Sequence, residues 1–286
     1  MHISLITPEE LDKLLKQSDV RIIDARSRAE FEAGRIPGAI WMGWEDWCAP
    51  APDHLGPMLK QPGYWGEMCS IDRDVIGQQL SLLGLSNQQE IVVYADGVKS
   101  KGREGRIAWM LLYLGAAQIK ILNGGIGQWM ASGYPTDRKM MAAKPGNFVV
   151  DVQHHRRILF STLREALQAK KMPVMVDTRS VLEHIGDLHR YQPRRGRIPE
   201  SELIAYPSLF NADGTFVQQD EYLALVPEKA RNGHEVVLYC EVGPRACMTS
   251  LLHELYTGQV LPVYEGSIMQ WCADPNLPLE KLSRES

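Results

Sequence analysis

One cysteine stands where sulfur chemistry can be done. Val236-Val237-Leu238-Tyr239 is a short apolar run that ends in Cys240, and Glu241-Val242-Gly243-Pro244-Arg245 leads on into a helical stretch. That order puts a thiol at the carboxyl end of a strand and near a helix N-terminus, where backbone N–H groups lack intrahelical partners. A turn of such amides can stabilise a thiolate or a sulfur-bearing anion. Nucleophilic sulfur chemistry at Cys240 is one reading. A buried cysteine that merely closes a strand is the other, because cysteine is commonly buried. Gly243 permits a backbone conformation that other residues enter less readily. Pro244 restricts the loop and has no N–H. Arg245 is suited either to hold an anion or to fasten the loop to a carboxylate.

The elements that must position this loop occur twice. Val20-Arg21-Ile22-Ile23-Asp24 and Val174-Met175-Val176-Asp177 are strands ending in aspartate, and each precedes a Gly-Arg-Ile-Pro turn, at Gly34–Pro37 and Gly196–Pro199. Ile91-Val92-Val93-Tyr94 and Val236-Val237-Leu238-Tyr239 form a second pair, and Gly125 with Trp129 and Gly266 with Trp271 a third. Three ordered pairs indicate internal duplication. Apolar strands alternate with helical segments, which favours parallel sheets covered by helices. Two α/β domains are expected, over 1–140 and 155–286, joined by a linker at 141–154 whose Pro145-Gly146 step resists regular structure. Phe148-Val149-Val150-Asp151-Val152 is a candidate connecting strand, and Val260-Leu261-Pro262-Val263-Tyr264 a strand of the second domain. Thr7, Pro8 and Glu10 form a capping box, and Thr162 with Glu165 is expected to act similarly. Trp129 and Trp271 read as core anchors.

Composition narrows the classes. Thirty-one basic and thirty-five acidic residues give a net charge of −4, too mild and too mixed for a nucleic-acid partner. The five cysteines include no CxxC pair and no zinc-like spacing, so no metal is expected, and an odd count argues against a disulfide scaffold. No apolar stretch is long enough to span a membrane, and the opening residues lack the pattern of a secretory signal. A cytoplasmic protein without cofactor or membrane partner is expected, and as a monomer.

The halves differ at the decisive loop. After Tyr94 comes Ala95-Asp96-Gly97-Val98-Lys99-Ser100-Lys101-Gly102-Arg103, longer, more polar and without cysteine. In this order of landmarks the chain resembles the tandem-domain rhodanese sulfurtransferases of the thiosulfate/3-mercaptopyruvate type. The resemblance spans both aspartate strands, both Gly-Arg-Ile-Pro turns, the Cys240 loop and the ending Glu265-Gly266-Ser267-Ile268-Met269-Gln270-Trp271. It implies two tandem rhodanese-like domains, the first non-catalytic, with Asp96 as the inactive counterpart of Cys240. It also implies that Cys240 is the nucleophile and cycles between thiol and persulfide. A small donor would load the outer sulfur, and a thiol or other nucleophile would remove it.

Cys240 and Arg245 enclose four residues, which resembles a sulfurtransferase loop and not the C-x5-R cradle of cysteine phosphatases. Glu241 and Val242 match neither the basic residues typical of thiosulfate-preferring members nor the small residues of mercaptopyruvate-directed ones. Glu241 either repels a nearby dianion or turns aside to cap a helix or bind Arg245. Glu183 stands where many members carry an anion-binding arginine. Arg179, Arg194 and Arg195 are therefore the substrate-binding candidates, with a solvated loop as the alternative for the last two. His184 and His189 read as helix or surface residues. Cys247 reads as buried, or else as a resolving thiol. The competing function is a sulfur carrier or regulatory module loaded by a partner protein. Among donors, the charge pattern leans towards a 3-mercaptopyruvate-like molecule over thiosulfate.

Overall fold

The apolar runs form two parallel sheets in the computed structural model, which describes residues 2–17, 20–70, 72–139, 144–231 and 234–281. The first half contains β1 (Ile3–Ile6), α1 (Pro8–Gln17), β2 (Arg21–Asp24), α2 (Arg28–Ala33), β3 (Ile40–Trp41), α3 (Arg73–Leu82), β4 (Ile91–Tyr94), α4 (Arg103–Tyr113), β5 (Ile119–Leu122) and α5 (Gly125–Ala131). The second contains α6 (Phe160–Gln168), β6 (Val174–Asp177), α7 (Val181–His184), β7 (Glu202–Leu203), α8 (Gln219–Leu225), α9 (Glu228–Arg231), β8 (Val236–Tyr239), α10 (Pro244–Thr257) and α11 (Ser267–Ala273). The strand orders are β1-β5-β4-β2-β3 and β7-β6-β8. Every residue of β4 and β8 is buried, as expected for central strands covered on both faces. The chain is thus two tandem α/β domains, each a parallel sheet flanked by helices.

The second sheet is a shortened copy of the first. Its order matches β3-β2-β4, and the next two strands are reduced to single bridges, Leu238 to Val263 and Arg157 to Val263. The strand expected over Val260–Tyr264 is therefore not formed as such: Pro262 has no N–H and can only accept, which it does from Leu238 N at 3.0 Å. Phe148–Val152 forms no strand either. Asp151 and Gln153 donate instead to Leu114 O and Tyr113 O at the end of α4. Of the expected linker, residues 141–143 lie outside the described residues. The Thr7 box caps α1 through reciprocal bonds with Glu10. Thr162, however, lies inside α6, whose cap Leu159 offers no side-chain bond.

Helices α4 and α10 meet along the seam between the halves. A Cβ on Gly105 would lie 2.4 Å from that of Met248, so only glycine allows this approach. Ile107, Leu111, Ala246 and Leu251 extend one apolar core across the seam. That contact brings the first half's loop against the Cys240 loop. No helix of the described residues is long and apolar enough to cross a membrane, and no group of three metal-ligating side chains occurs among them.

Candidate active site at the cysteine loop

The Cys240 loop closes on its own sulfur. Gly243 N–H donates to Cys240 Sγ at 3.1 Å, and α10 begins at the next residue, so the sulfur lies at that helix's positive end. Gly243 has φ +106°, and a Cβ there would also meet Arg106 Nη1 and Glu265 O at 2.9 Å. Glycine is therefore required both by conformation and by space. Cys240 N–H donates to Ser267 Oγ at 3.0 Å, which donates onward to Tyr264 O at 2.9 Å. The carbonyls of Cys240 and Glu241 accept from Ile268 N and Met269 N at the start of α11. Two helix N-termini thus fix the loop.

The arginines are occupied. Arg245 donates to both oxygens of Glu183 at 2.7 and 2.8 Å, and its Nη2 lies 3.7 Å from Glu241 Oε2. Burial alone would raise the Glu183 carboxyl, but Arg245 and the Ser180 cap outweigh it and hold it down at about 2. Arg179 is buried against Asp177 and Gly196 O. Arg194 donates to three carbonyls, of Cys272, Leu277 and Asp274. Arg195 is exposed. None of Arg179, Arg194 and Arg195 lines the cavity that contains Cys240, so the substrate-facing role expected of them is corrected: two are structural ties and one faces solvent. His184 is buried between Asp177 and Arg197, and so is not a surface residue.

That cavity, of about 330 Å³, is built from both halves. Cys240, Glu241, Val242, Pro244, Arg245 and Tyr191 come from the second; Trp44, Tyr64, Lys99, Ser100, Lys101 and Arg103 are among those from the first. Tyr64 and Tyr191 stack obliquely, with centroids 4.7 Å apart. Glu241 neither caps a helix nor leaves the site: it lines the cavity and accepts from Gln192 Nε2 at 2.6 Å. Burial and the Glu241 carboxylate push the Tyr191 hydroxyl up from its ordinary value. Arg103 pairs with Glu45 at 2.7 Å.

Behind the loop, Arg106 is fully buried, donates to Gly66 O at 2.9 Å and lies 4.0 Å from the thiols of Cys247 and Cys48. Burial raises Cys247 to about 12 and Cys48 to about 11 despite that cation. A thiol so raised is a poor resolving nucleophile, and Cys247 is core.

The residue in Cys240's place in the first half is Ala95, not Asp96. Tyr94 O and Tyr239 O accept from Ala25 N and Thr178 N, and Ala95 O and Cys240 O accept from Ile126 N and Ile268 N. Counting from the paired tyrosines puts Asp96 opposite Glu241, where it stays out of the cavity and pairs loosely with Lys99 at 3.5 Å. Ser267, Lys99, Lys101, Tyr64 and Trp44 also escaped the sequence reading. Only the polarity of the longer loop signalled any of them.

A family model described as rhodanese-like domain matches residues 7–132 and 160–274. The chain is 26% identical to a probable 3-mercaptopyruvate sulfurtransferase of Pseudomonas aeruginosa, over 96% of this chain and 97% of that one. It is 23% identical to the sulfur carrier protein TtuD of Thermus thermophilus, over 97% and 96%. Among solved structures it resembles the anaerobic ergothioneine biosynthesis enzyme from Chlorobium limicola, bound to trimethyl histidine, with a TM-score of 0.79 and 20% identity over 98% of this chain and 70% of that one.

Proposed function

Because the chain belongs to the rhodanese-like domain family, we propose that it is a sulfurtransferase working through a persulfide on Cys240. Residues 155–286 carry the chemistry, 1–140 form a non-catalytic wall, and 141–154 join them. The observation that carries this reading is the Gly243 amide on Cys240 Sγ at the N-terminus of α10, inside a cavity open to small molecules. The Cys240 thiolate attacks the sulfur of the donor. With 3-mercaptopyruvate the carbon–sulfur bond breaks, its electron pair passes to carbon, which takes a proton, and pyruvate leaves. With thiosulfate the sulfur–sulfur bond breaks and sulfite leaves. Either way a sulfur–sulfur bond forms on Cys240. A thiolate acceptor then attacks the outer sulfur and Cys240 leaves as thiolate. The loop amide and the helix end stabilise the anionic sulfur at both steps. Ser267 holds the Cys240 backbone, and Arg245, spent on Glu183, shapes the loop.

The test is intact mass after incubating the reduced protein with each donor. A gain of one sulfur, absent in Cys240→Ser, is expected; no gain from either donor overturns the reading.

A second reading, a sulfur carrier loaded by a partner protein, is favoured by one observation. Glu183 neutralises the loop arginine and Glu241 lines the cavity, which weakens recognition of a small anion close to the sulfur. Loading only in the presence of a protein donor would select it, and rapid turnover of a small donor alone would exclude it.

A further inference from the structure

Among the described residues, the second half lines the cavity with no unpaired cation. Arg179 is held by Asp177, Arg194 by three carbonyls, Arg197 by Glu280, and Arg245 by Glu183. Apart from Arg245, the cations that line the cavity come from the other half. Lys99, Lys101 and Arg103 all line it, from the stretch that follows β4. Arg103 is neutralised by Glu45, which lines the same cavity, Lys99 is matched only loosely by Asp96, and no carboxylate pairs with Lys101 among the described residues.

The stretch is also built to hold its shape. Gly97–Ser100 winds as a short 3-10 helix, and Lys101 ends it at φ +54° with its N–H on Val98 O at 3.3 Å. A lysine in the left-handed region is uncommon and costs conformational energy. Here it turns the chain at the cavity's rim.

Charge is thereby separated inside the cavity. Glu241 adjoins Cys240 in sequence and lines the same space, so it disfavours a second negative charge bonded directly to the transferring sulfur. The lysines are exposed at the mouth and favour a negative charge there. The rings of Trp44, Tyr64 and Tyr191 line the same space, and the volume of about 330 Å³ falls within the range of small organic ligand sites.

We propose that the first half supplies the anion subsite for the second half's cysteine: Lys99 and Lys101 hold the acid group of an organic sulfur donor. The donor's sulfur lies on Cys240, and its carboxylate is set off from that sulfur by a short carbon body against the aromatic rings. This rests on the persulfide reading and deepens it. Thiosulfate, with its charge bonded to the transferred sulfur, fits the subsite poorly.

The test compares 3-mercaptopyruvate with its uncharged methyl ester on the full chain. The wild type, Lys101→Ala, Lys101→Glu and Lys99→Ala/Lys101→Ala are measured, with Lys13→Ala as a control on a helix far from the site. All these lysines are exposed, so the variants fold, which circular dichroism checks. In the double variant the ratio of kcat/KM for acid over ester falls about tenfold, mostly through KM for the acid, and Lys101→Glu lowers it further. Lys13→Ala keeps the wild-type ratio. Cys240 loading by the ester, read by intact mass, reports the persulfide reading separately. An unchanged ratio in variants that still load overturns the subsite and leaves that reading standing. No loading of the wild type by either compound removes the reading and the subsite with it.

Discussion

The ends of β4 and β8 are built alike and finish differently. Tyr94 Oη donates to Asp24 and accepts from Ile36 N; Tyr239 Oη donates to Asp177 and accepts from Ile198 N. Arg26 ties Asp24 to Gly34 O, and Arg179 ties Asp177 to Gly196 O. Trp129 and Trp271 each donate to a proline carbonyl, of Pro135 and Pro278. Beyond this shared frame, Cys240 reaches α10 through a tight loop whose amide meets the sulfur, whereas the chain after Ala95 winds through a 3-10 helix before α4. The buried hydrogen bonds keep the fold in both copies, and the copies part at the residue and loop that follow the strand, where only Cys240 brings a thiol against a loop amide. The longer loop has become a wall of its neighbour's cavity.

The sharpest way to break this comparison is to move the thiol. Cys240→Ser is expected to reduce sulfur loading to background while circular dichroism stays native. Serine keeps the size of the side chain without a soft nucleophile that ionises readily. Adding Ala95→Cys to that variant is expected to restore nothing, because no counterpart of the Gly243 amide meets the new sulfur. A mass gain of one sulfur in the double variant would show that the frame, and not the loop, carries the chemistry.

A second pair of variants tests the arginines that open α4 and α10. Arg245 and Glu183 are buried together, so Arg245→Met strands a carboxylate and is expected to cost about 3–5 kcal/mol. Arg103 and Glu45 are about a quarter exposed, and Arg103→Met is expected to cost less than about 1 kcal/mol. Urea unfolding at pH 7 measures both, and equal losses would refute the difference. The Glu183 pair also has a pH signature. Its carboxyl titrates near 2 when folded and near 4.5 when free, so its contribution is full above 4.5 and is lost as pH falls through 2. The gap between wild type and Glu183→Gln should close over that range.

The duplicated frame was legible because parallel strands buried on both faces read as unbroken apolar runs. Single positions were less so. Asp96 looked like the partner of Cys240 by residue type, yet pairing Tyr94 with Tyr239 selects Ala95. Glu183 looked like a lost anion site, yet Ser180-x-x-Glu183 repeats the capping box Ser27-x-x-Glu30, and both boxes form. The arginine roles and the composite cavity were not legible. They depend on the α4–α10 seam, which brings together side chains more than a hundred residues apart, such as Arg106 and Cys247. Local spacing carries no trace of such contacts.

The comparison sharpens further at the next helix position, where α4 has Glu104 and α10 has Ala246. Glu104 is fully buried, and burial raises its carboxyl to about 7 against the pull of Ser100. Asp96 pushes it the same way, Arg103 opposes, and the buried Tyr206 hydroxyl faces it as well. Ser100 Oγ lies 2.7 Å from Gly97 O and 2.6 Å from Glu104 Oε2. A hydroxyl has one proton. When Ser100 gives it to Gly97 O, the second bond needs a proton from Glu104, which matches a neutral carboxyl. The unfolded chain releases that proton near 4.5 and the folded chain near 7, so between those values the native state binds more protons and stability falls as pH rises. The loss should reach about 3 kcal/mol by pH 8. Glu104→Gln keeps a donor for Ser100 and cannot ionise. Its stability relative to wild type should therefore rise from pH 5 to pH 8, as read by urea unfolding at each pH. A difference that stays flat across this window would mean that Glu104 is ionised throughout, and that Ser100 spends its proton on the carboxylate and not on the loop that carries Lys99 and Lys101.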